Sequence, residues 1–185
     1  MVTIRPYARE DIPLHFAAVS ESKTELGSWM PWCHPGYALE DSRKWIDSQL
    51  IAFSEGAEYG FAIVDGENRF LGGCGLNHLE RSDLRANLGY WVRSSARGRG
   101  VATTAATLLA EWAFSTTPFC RLEVIAALGN RASQRVAEKI GAQREGVLRS
   151  RLQLHGQPHD AVIYSLIRPS SSHLSSFAGS PRPVS

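Results

Sequence analysis

The stretch Leu88–Phe114, LGYWVRSSARGRGVATTAATLLAEWAF, constrains this chain more than any other. A strand pattern ends near Val92 and a short polar turn follows. Arg97-Gly98-Arg99-Gly100-Val101-Ala102 then opens a helix predicted over Gly100–Phe114. Apolar residues at 101, 105, 108, 109 and 112 give that helix one buried stripe. Gly98 and Gly100 carry no Cβ, so the backbone can turn tightly there. Several N–H groups can then converge where the helix dipole is positive, which is the physical recipe for holding phosphate.

Strand and helix patterns interleave on both sides of this stretch. A short strand at Val2–Pro6 precedes a helix capped by Asp11 that runs to about Ser22, with Pro13 in its first turn. Glu25–Leu39 reads as a loop, yet it holds Trp29, Trp32 and Tyr37. A helix over Leu39–Ser54 follows, with Trp45, Ile46, Leu50 and Phe53 near helical spacing. Strands are expected at Tyr59–Val64, Phe70–His78, Ala86–Arg93 and Arg121–Ala127, and a further helix at Asn130–Ile140, stopped by Gly141. Two late strands, Gln143–Leu154 and Asp160–Ile167, are joined by a turn at Gly156 and Pro158. The order describes one α/β domain over residues 1–168, with antiparallel pairs beside crossover units.

Composition narrows the class. Hydrophobic residues make up 43% of the chain, enough for a core. Lys plus Arg exceed Asp plus Glu by only 20 − 18 = 2, so no basic field argues for nucleic acid. No run of eighteen apolar residues argues for a membrane span, and the N-terminus shows no apolar signal core. Cys33, Cys74 and Cys120 have no CxxC spacing and suggest neither a disulfide framework nor a metal site. The expectation is a cytoplasmic protein. Residues 169–185, with seven Ser and three Pro, read as a disordered tail.

Three phosphate-binding patterns compete for the glycine turn. A Walker loop needs a Lys after its glycines, and none follows. A dinucleotide fingerprint needs a third glycine and an acid about twenty residues on; the third glycine is missing and Glu123 lies past another helix. The remaining pattern, Arg/Gln-x-x-Gly-x-Gly/Ala, is matched by Arg97, Gly100 and Ala102.

With that pattern, the chain resembles the GNAT superfamily of acyl-CoA-dependent N-acetyltransferases over about residues 2–168. It looks most similar to the Rim type, which acetylates protein N-terminal alanines. WMPWCHPGYALEDSRKWI (29–46) and GNRASQRVAEKIGAQREGVLR (129–149) support the likeness. The resemblance implies a mostly antiparallel twisted sheet that splays between its fourth and fifth strands, with acyl-CoA in the gap. It implies that Tyr90, Trp91 and Val92 bind the pantetheine arm through their backbone. The amides of Arg97, Gly98, Arg99, Gly100, Val101 and Ala102 would hold the pyrophosphate, and Asn130 would contact the pantetheine or ribose end. Ser133 stands where relatives place a group near the thioester sulfur.

The chemistry implied is direct attack of an amine on acetyl-CoA in a ternary complex, with no metal. Ser133 is the candidate proton donor to the departing sulfur. Candidate bases are His78, Glu80 and Asp83 near the exit of the third strand, and His155, His159 and Asp160 near the closing hairpin; Glu80 and His155 are singled out. Trp29, Trp32 and Tyr37 suit a wall of the acceptor pocket. Asn130 also reads as a plain N-cap. The acceptor is a protein N-terminus or a small-molecule amine, and the protein a monomer or homodimer. The alternative is an acyl-CoA-binding sensor without turnover.

Overall fold

The computed structural model describes residues 1–169; the expected disordered tail lies outside the described residues except for Pro169. Seven strands form one sheet in the order β1-β2-β3-β4-β5-β7-β6. The strands are β1 Val2–Pro6, β2 Tyr59–Asp65, β3 Phe70–Glu80, β4 Arg85–Val92, β5 Arg121–Ala127, β6 Gln143–Leu154 and β7 Gln157–Ile167. The helices are α1 Asp11–Glu21, α2 Lys23–Gly27, α3 Leu39–Glu55, α4 Val101–Thr116 and α5 Arg131–Lys139. All strand pairs are antiparallel except β4 and β5. That parallel pair needs a crossover, and α4 supplies it.

Both faces of the sheet are covered. On one, α4 and α5 pack on Phe61, Ile63, Leu76, Leu88, Leu122, Val124 and Tyr164. Ala105, Ala106, Ala110 and Ala113 along α4 are all buried and let the helix approach the strands closely. On the other face, Ile12 and Ala18 of α1 and Ile46 of α3 pack on Tyr7, Ala62, Val64 and Phe70. Strand alternation divides β4 between the two faces: Tyr90 packs with the α4 side and Trp91 with the α1 side.

The structure departs from the sequence reading at several places, four of which bear on packing and the site. The stretch read as a loop from Glu25 begins inside the short helix α2. Asp11 is the first residue of α1 rather than its cap; its carboxylate accepts from both terminal guanidinium nitrogens of Arg5 at 2.7 Å and from the Ala8 amide at 2.9 Å. A buried carboxylate needs such a partner, and Asp11 is 1% exposed. The helix expected from Gly100 starts at Val101, with Gly100 as its left-handed N-cap. The β6–β7 turn is His155–Gly156, both at positive φ, while Pro158 sits inside β7 opposite Gln153. Proline is tolerated there because β5 pairs with β7 only from Ala161 onward, leaving Pro158 on a one-sided ladder.

The β3–β4 ladder depends on glycine at position 72. A Cβ there would lie 2.2 Å from the Trp91 carbonyl oxygen and 2.9 Å from the Val92 Cα, both backbone atoms that cannot step aside. Gly72→Ala is therefore expected to cost about 1–3 kcal/mol by overpacking. Gly146→Ala, where an added Cβ meets nothing within 4 Å, serves as the control. Urea denaturation of the two variants checks the contrast; equal midpoints would contradict it.

Candidate active site

The site is made by two strands that part. β4 and β5 pair only at Arg85–Arg121, Ala86–Leu122 and Asn87–Glu123. Beyond that, β4 stays with β3 as far as Val92, and β5 stays with β7 as far as Ala127. The backbone groups of Leu88–Val92 on the β5 side are thus left without a strand partner, and a buried peptide group needs one. The wedge opens into a cavity of about 720 Å³ with Leu88–Trp91 on one wall and Val124–Ala127 on the other.

A second groove, of about 350 Å³, runs from the wedge to the start of α4. Arg97, Gly98, Gly100 and Val101–Thr103 line one side, and Ala132, Arg135 and Lys139 of α5 the other. Gly98 and Gly100 have φ of 72° and 77°, the left-handed region that residues with a Cβ enter at a cost. The first helical bond of α4 is Thr104 N–H to Gly100 O at 2.9 Å, so the amides of Val101–Thr103 have no acceptor within the helix. Free amides, a positive helix end and the cations Arg135 and Lys139 make the groove suited to an anion.

The turn before these glycines is anchored to the end of α1. Arg93 pairs with Glu21, the Ser95 amide donates to the same carboxylate at 2.7 Å, and the Ser94 amide donates to Ser22 Oγ at 2.9 Å. Arg93 also donates to the Phe70 carbonyl at 3.1 Å, and Arg97 pairs with Glu25 at 3.6 Å. Hydrogen bonds from Arg93, then from the Ser95 amide, pull the Glu21 carboxyl down to about 2.

The cavity and the groove share Trp29, Met30, Tyr90, Trp91, Asn130 and Ser133. Their junction is therefore where two ligands could touch. The Tyr90 hydroxyl donates to the Ser133 carbonyl at 3.0 Å and lies 3.2 Å from Ser133 Oγ. Burial pushes the Tyr90 phenol up to about 12, so it stays protonated at neutral pH. Asn130 Oδ1 accepts from the Ser133 amide at 3.1 Å, so Asn130 is the N-cap of α5 as well as a wall of both spaces. Gln134 ties the β5–α5 loop down by donating to the Ala127 and Leu128 carbonyls.

On the far side of the cavity, Trp32 packs at 5.9 Å from Tyr37 and 6.0 Å from Trp91. Trp29 reaches across toward Gly129, where a Cβ would come within 3.4 Å of its ring. All three aromatic residues of the 29–37 loop line the cavity, with His34, Asp41 and Lys44 beside them. Val92, Arg97, Gly98, Gly100, Val101 and Ala102 line the groove, whereas the exposed Arg99 does not.

The proposed bases are placed differently. Glu80 lies outside both spaces, and its carboxylate is taken up by the Ser82 amide and hydroxyl, which hold it below the usual carboxylate range. His155 is exposed at the tip of the β6–β7 hairpin, also outside both spaces. Asp83, His159 and Asp160 line neither. His78 does border the cavity, at φ 48° where β3 loses register with β4.

Two polar residues of the cavity and one behind its wall went unnoticed in the sequence. His15, 1% exposed on the inner face of α1, and Glu58, which accepts from Gln49 at 3.0 Å, line the cavity, and Ser42, fully buried on α3, backs His15. The one available signal was a histidine within the apolar stripe of α1 between Ile12 and Val19. Among the described residues no group of three or more His, Cys, Asp or Glu could hold a metal ion, and no helix is long and apolar enough to cross a membrane.

Comparison with known proteins agrees with this geometry. Residues 1–143 match the family model described as Acetyltransferase (GNAT) domain, so the chain belongs to the GNAT acetyltransferase family. It is 29% identical to YdaF of Bacillus subtilis over 90% of this chain and 91% of that protein. It is 24% identical to the ribosomal-protein-serine acetyltransferase of Escherichia coli over 82% of this chain and 84% of that protein. Among solved structures, RimL, a ribosomal L7/L12 α-N-protein acetyltransferase in complex with coenzyme A, superposes with a TM-score of 0.84 at 22% identity, over 90% of this chain and 93% of that one. The microcin C7 self-immunity acetyltransferase MccE, in complex with acetyl-CoA and AMP, reaches the same TM-score at 22% identity, over 90% and 92%. The chain is an N-acetyltransferase with the mixed α/β fold of that family.

The Glu21 clamp carries a pH prediction. A carboxyl held at about 2 when folded, against an ordinary value near 4.5, stabilises the fold fully above pH 4.5. That contribution is lost as pH falls through 2. Glu21→Gln is therefore expected to lose stability at pH 7 and to show a shallower decline between pH 5 and pH 2 than the parent. Thermal melts across that range check it, and parallel declines would count against the clamp.

Proposed function

We propose that this protein transfers the acetyl group of acetyl-CoA to a protein N-terminal α-amine, with both substrates bound at once. The observation that carries the reading is the meeting of two spaces at Tyr90, Trp91 and Ser133. One is suited to a phosphate-bearing arm and the other is walled by aromatics. The names of the E. coli relative and of RimL support a protein acceptor. A cytoplasmic location belongs to the same proposal, in keeping with three free cysteines.

In this reading the pyrophosphate lies against the amides that follow Gly98 and Gly100, and the pantetheine arm adds to the open edge of β4 as a short extra strand. Backbone groups of Tyr90–Val92 orient the thioester, and an amide of that edge stabilises its carbonyl oxygen as charge develops. The Trp29, Trp32 and Tyr37 wall seats the acceptor. The amine nitrogen bonds to the acetyl carbon, the carbon–sulfur bond breaks, and the amine gives up a proton to solvent. The departing sulfur takes a proton from Ser133 Oγ, which the Tyr90 hydroxyl beside it replenishes, and Tyr90 in turn recovers the proton that the amine has released to solvent. An α-amine with a pKa near ~8 is partly neutral at pH 7, so a water chain past His78 suffices and neither Glu80 nor His155 is given a role.

The test is thiol release from acetyl-CoA with N-terminal peptides, blocked lysine peptides, polyamines and aminoglycosides as acceptors. Transfer to the α-amine of peptides is expected; transfer confined to the small amines would replace the acceptor while keeping the chemistry. Gly100→Val is expected to raise the acetyl-CoA Kd at least about tenfold, because a β-branched residue resists the left-handed conformation that aims the amides. An unchanged Kd with an intact fold would remove the phosphate assignment. Ser133→Ala and Tyr90→Phe are expected to lower kcat by about ten- to a hundredfold with acetyl-CoA affinity nearly kept. Unaltered turnover in both would remove the proton-donor pair.

A further inference from the structure

The floor of the large cavity holds three hydrogen-bond donors without a protein acceptor. Tyr7 Oη and Trp91 Nε1 both crowd the space above Gly73, where a Cβ would sit 2.1 Å from the first and 2.7 Å from the second. Neither atom donates to a protein acceptor among the described residues, and both side chains line the cavity. The third donor comes from His15, whose ring stands edge-on to Trp91 at 5.3 Å and to Tyr7 at 6.2 Å.

His15 becomes a donor through a buried chain. Tyr37 Oη lies 3.2 Å from Ser42 Oγ, which lies 3.0 Å from His15 Nδ1, and all three residues are buried. The phenol is the most acidic group of the three and the imidazole nitrogen the most basic, which favours the order in which Tyr37 donates to Ser42 and Ser42 to Nδ1. Burial lowers the imidazole to about 4, which leaves the ring neutral at pH 7 with its one proton on Nε2. Nε2 has no protein partner among the described residues, and His15 borders the cavity. Three neutral donors set among aromatic rings form a site for an oxygen acceptor, and leaving them unmatched is costly.

We propose that Tyr7, His15 and Trp91 bind a carbonyl oxygen of the acceptor, so that the enzyme selects amines bearing a neighbouring carbonyl, the α-aminoacyl group of a peptide N-terminus. The inference rests on the reading of this cavity as the acceptor site. Ser42 and Tyr37 are positioning residues in it: they present the right tautomer of His15 and touch no substrate through that chain. A polyamine or simple alkylamine offers no oxygen here and leaves the donors unmatched.

The test compares an N-terminal alanine peptide with an alkylamine of equal length, each with acetyl-CoA. The parent enzyme is expected to prefer the peptide in kcat/KM by at least about tenfold. Tyr7→Phe, which removes one oxygen and keeps the ring, and His15→Phe are each expected to reduce that preference about tenfold, mainly through the peptide KM. His15→Gln, which retains a donor near Nε2, is expected to recover most of it. Ser42→Ala should shift the preference in the same direction as His15→Phe, since Nδ1 loses its donor. Equal kcat/KM for peptide and alkylamine in the parent, or an undiminished preference in both Tyr7→Phe and His15→Phe, overturns the carbonyl site while the acetyltransferase reading stands. A parent enzyme that transfers to neither amine overturns the peptide-acceptor reading and this one together.

Discussion

The separation of β4 from β5 after three paired residues is the constraint on which the rest of this structure depends. Each strand keeps its other neighbour to the end, so the parting costs the sheet no integrity. It leaves one stretch of backbone, Leu88–Val92, with an open edge in the middle of the domain rather than at its margin. An exposed edge is normally a hazard because it can recruit any strand. Here the edge faces the cavity between β4 and β5, which residues of α1, α3 and α5 also line.

The pleat of β4 then distributes the work. Tyr90 turns toward α5 and meets Ser133, while Trp91 turns toward α1 and meets His15 and Trp32. A two-residue periodicity thus sends the Tyr90–Ser133 hydroxyl pair to one face and the Trp91 wall of the large cavity to the other. The thioester would sit between them, at the edge of the strand itself. Rigidity at this point matters, because bringing two reactants into contact removes much of the entropic barrier only if neither can drift. The Glu21–Arg93 clamp, the Asn130 cap and the Gln134 bonds hold the three segments that meet there.

Much of this was legible in the sequence, for identifiable reasons. The Gly98–Gly100 turn was visible because left-handed φ values nearly require glycine, and the following helix because its apolar stripe repeats at helical spacing. Asn130 announced a helix start by a local rule, and Ser133 followed one turn later on the same helix. Glu80 and His155 illustrate the opposite case. Both looked like bases near strand ends, but Glu80 is occupied by Ser82 two residues on, and His155 is spent on a tight turn. His15 was hidden because a histidine in an apolar stripe looks like core; its partners Ser42 and Trp91 lie 27 and 76 positions away.

By itself, then, the sequence determined the features ruled by short-range physics: the elements, the glycine turn, the helix caps and the family pattern they compose. Only the tertiary structure decided where β4 leaves β5, which residues floor the resulting cavity and which charged side chains lie outside it. The physical reason is one of range. Backbone conformation answers to a residue and its near neighbours, whereas a cavity exists only where segments far apart in the chain are held at a distance, and no single segment encodes that distance.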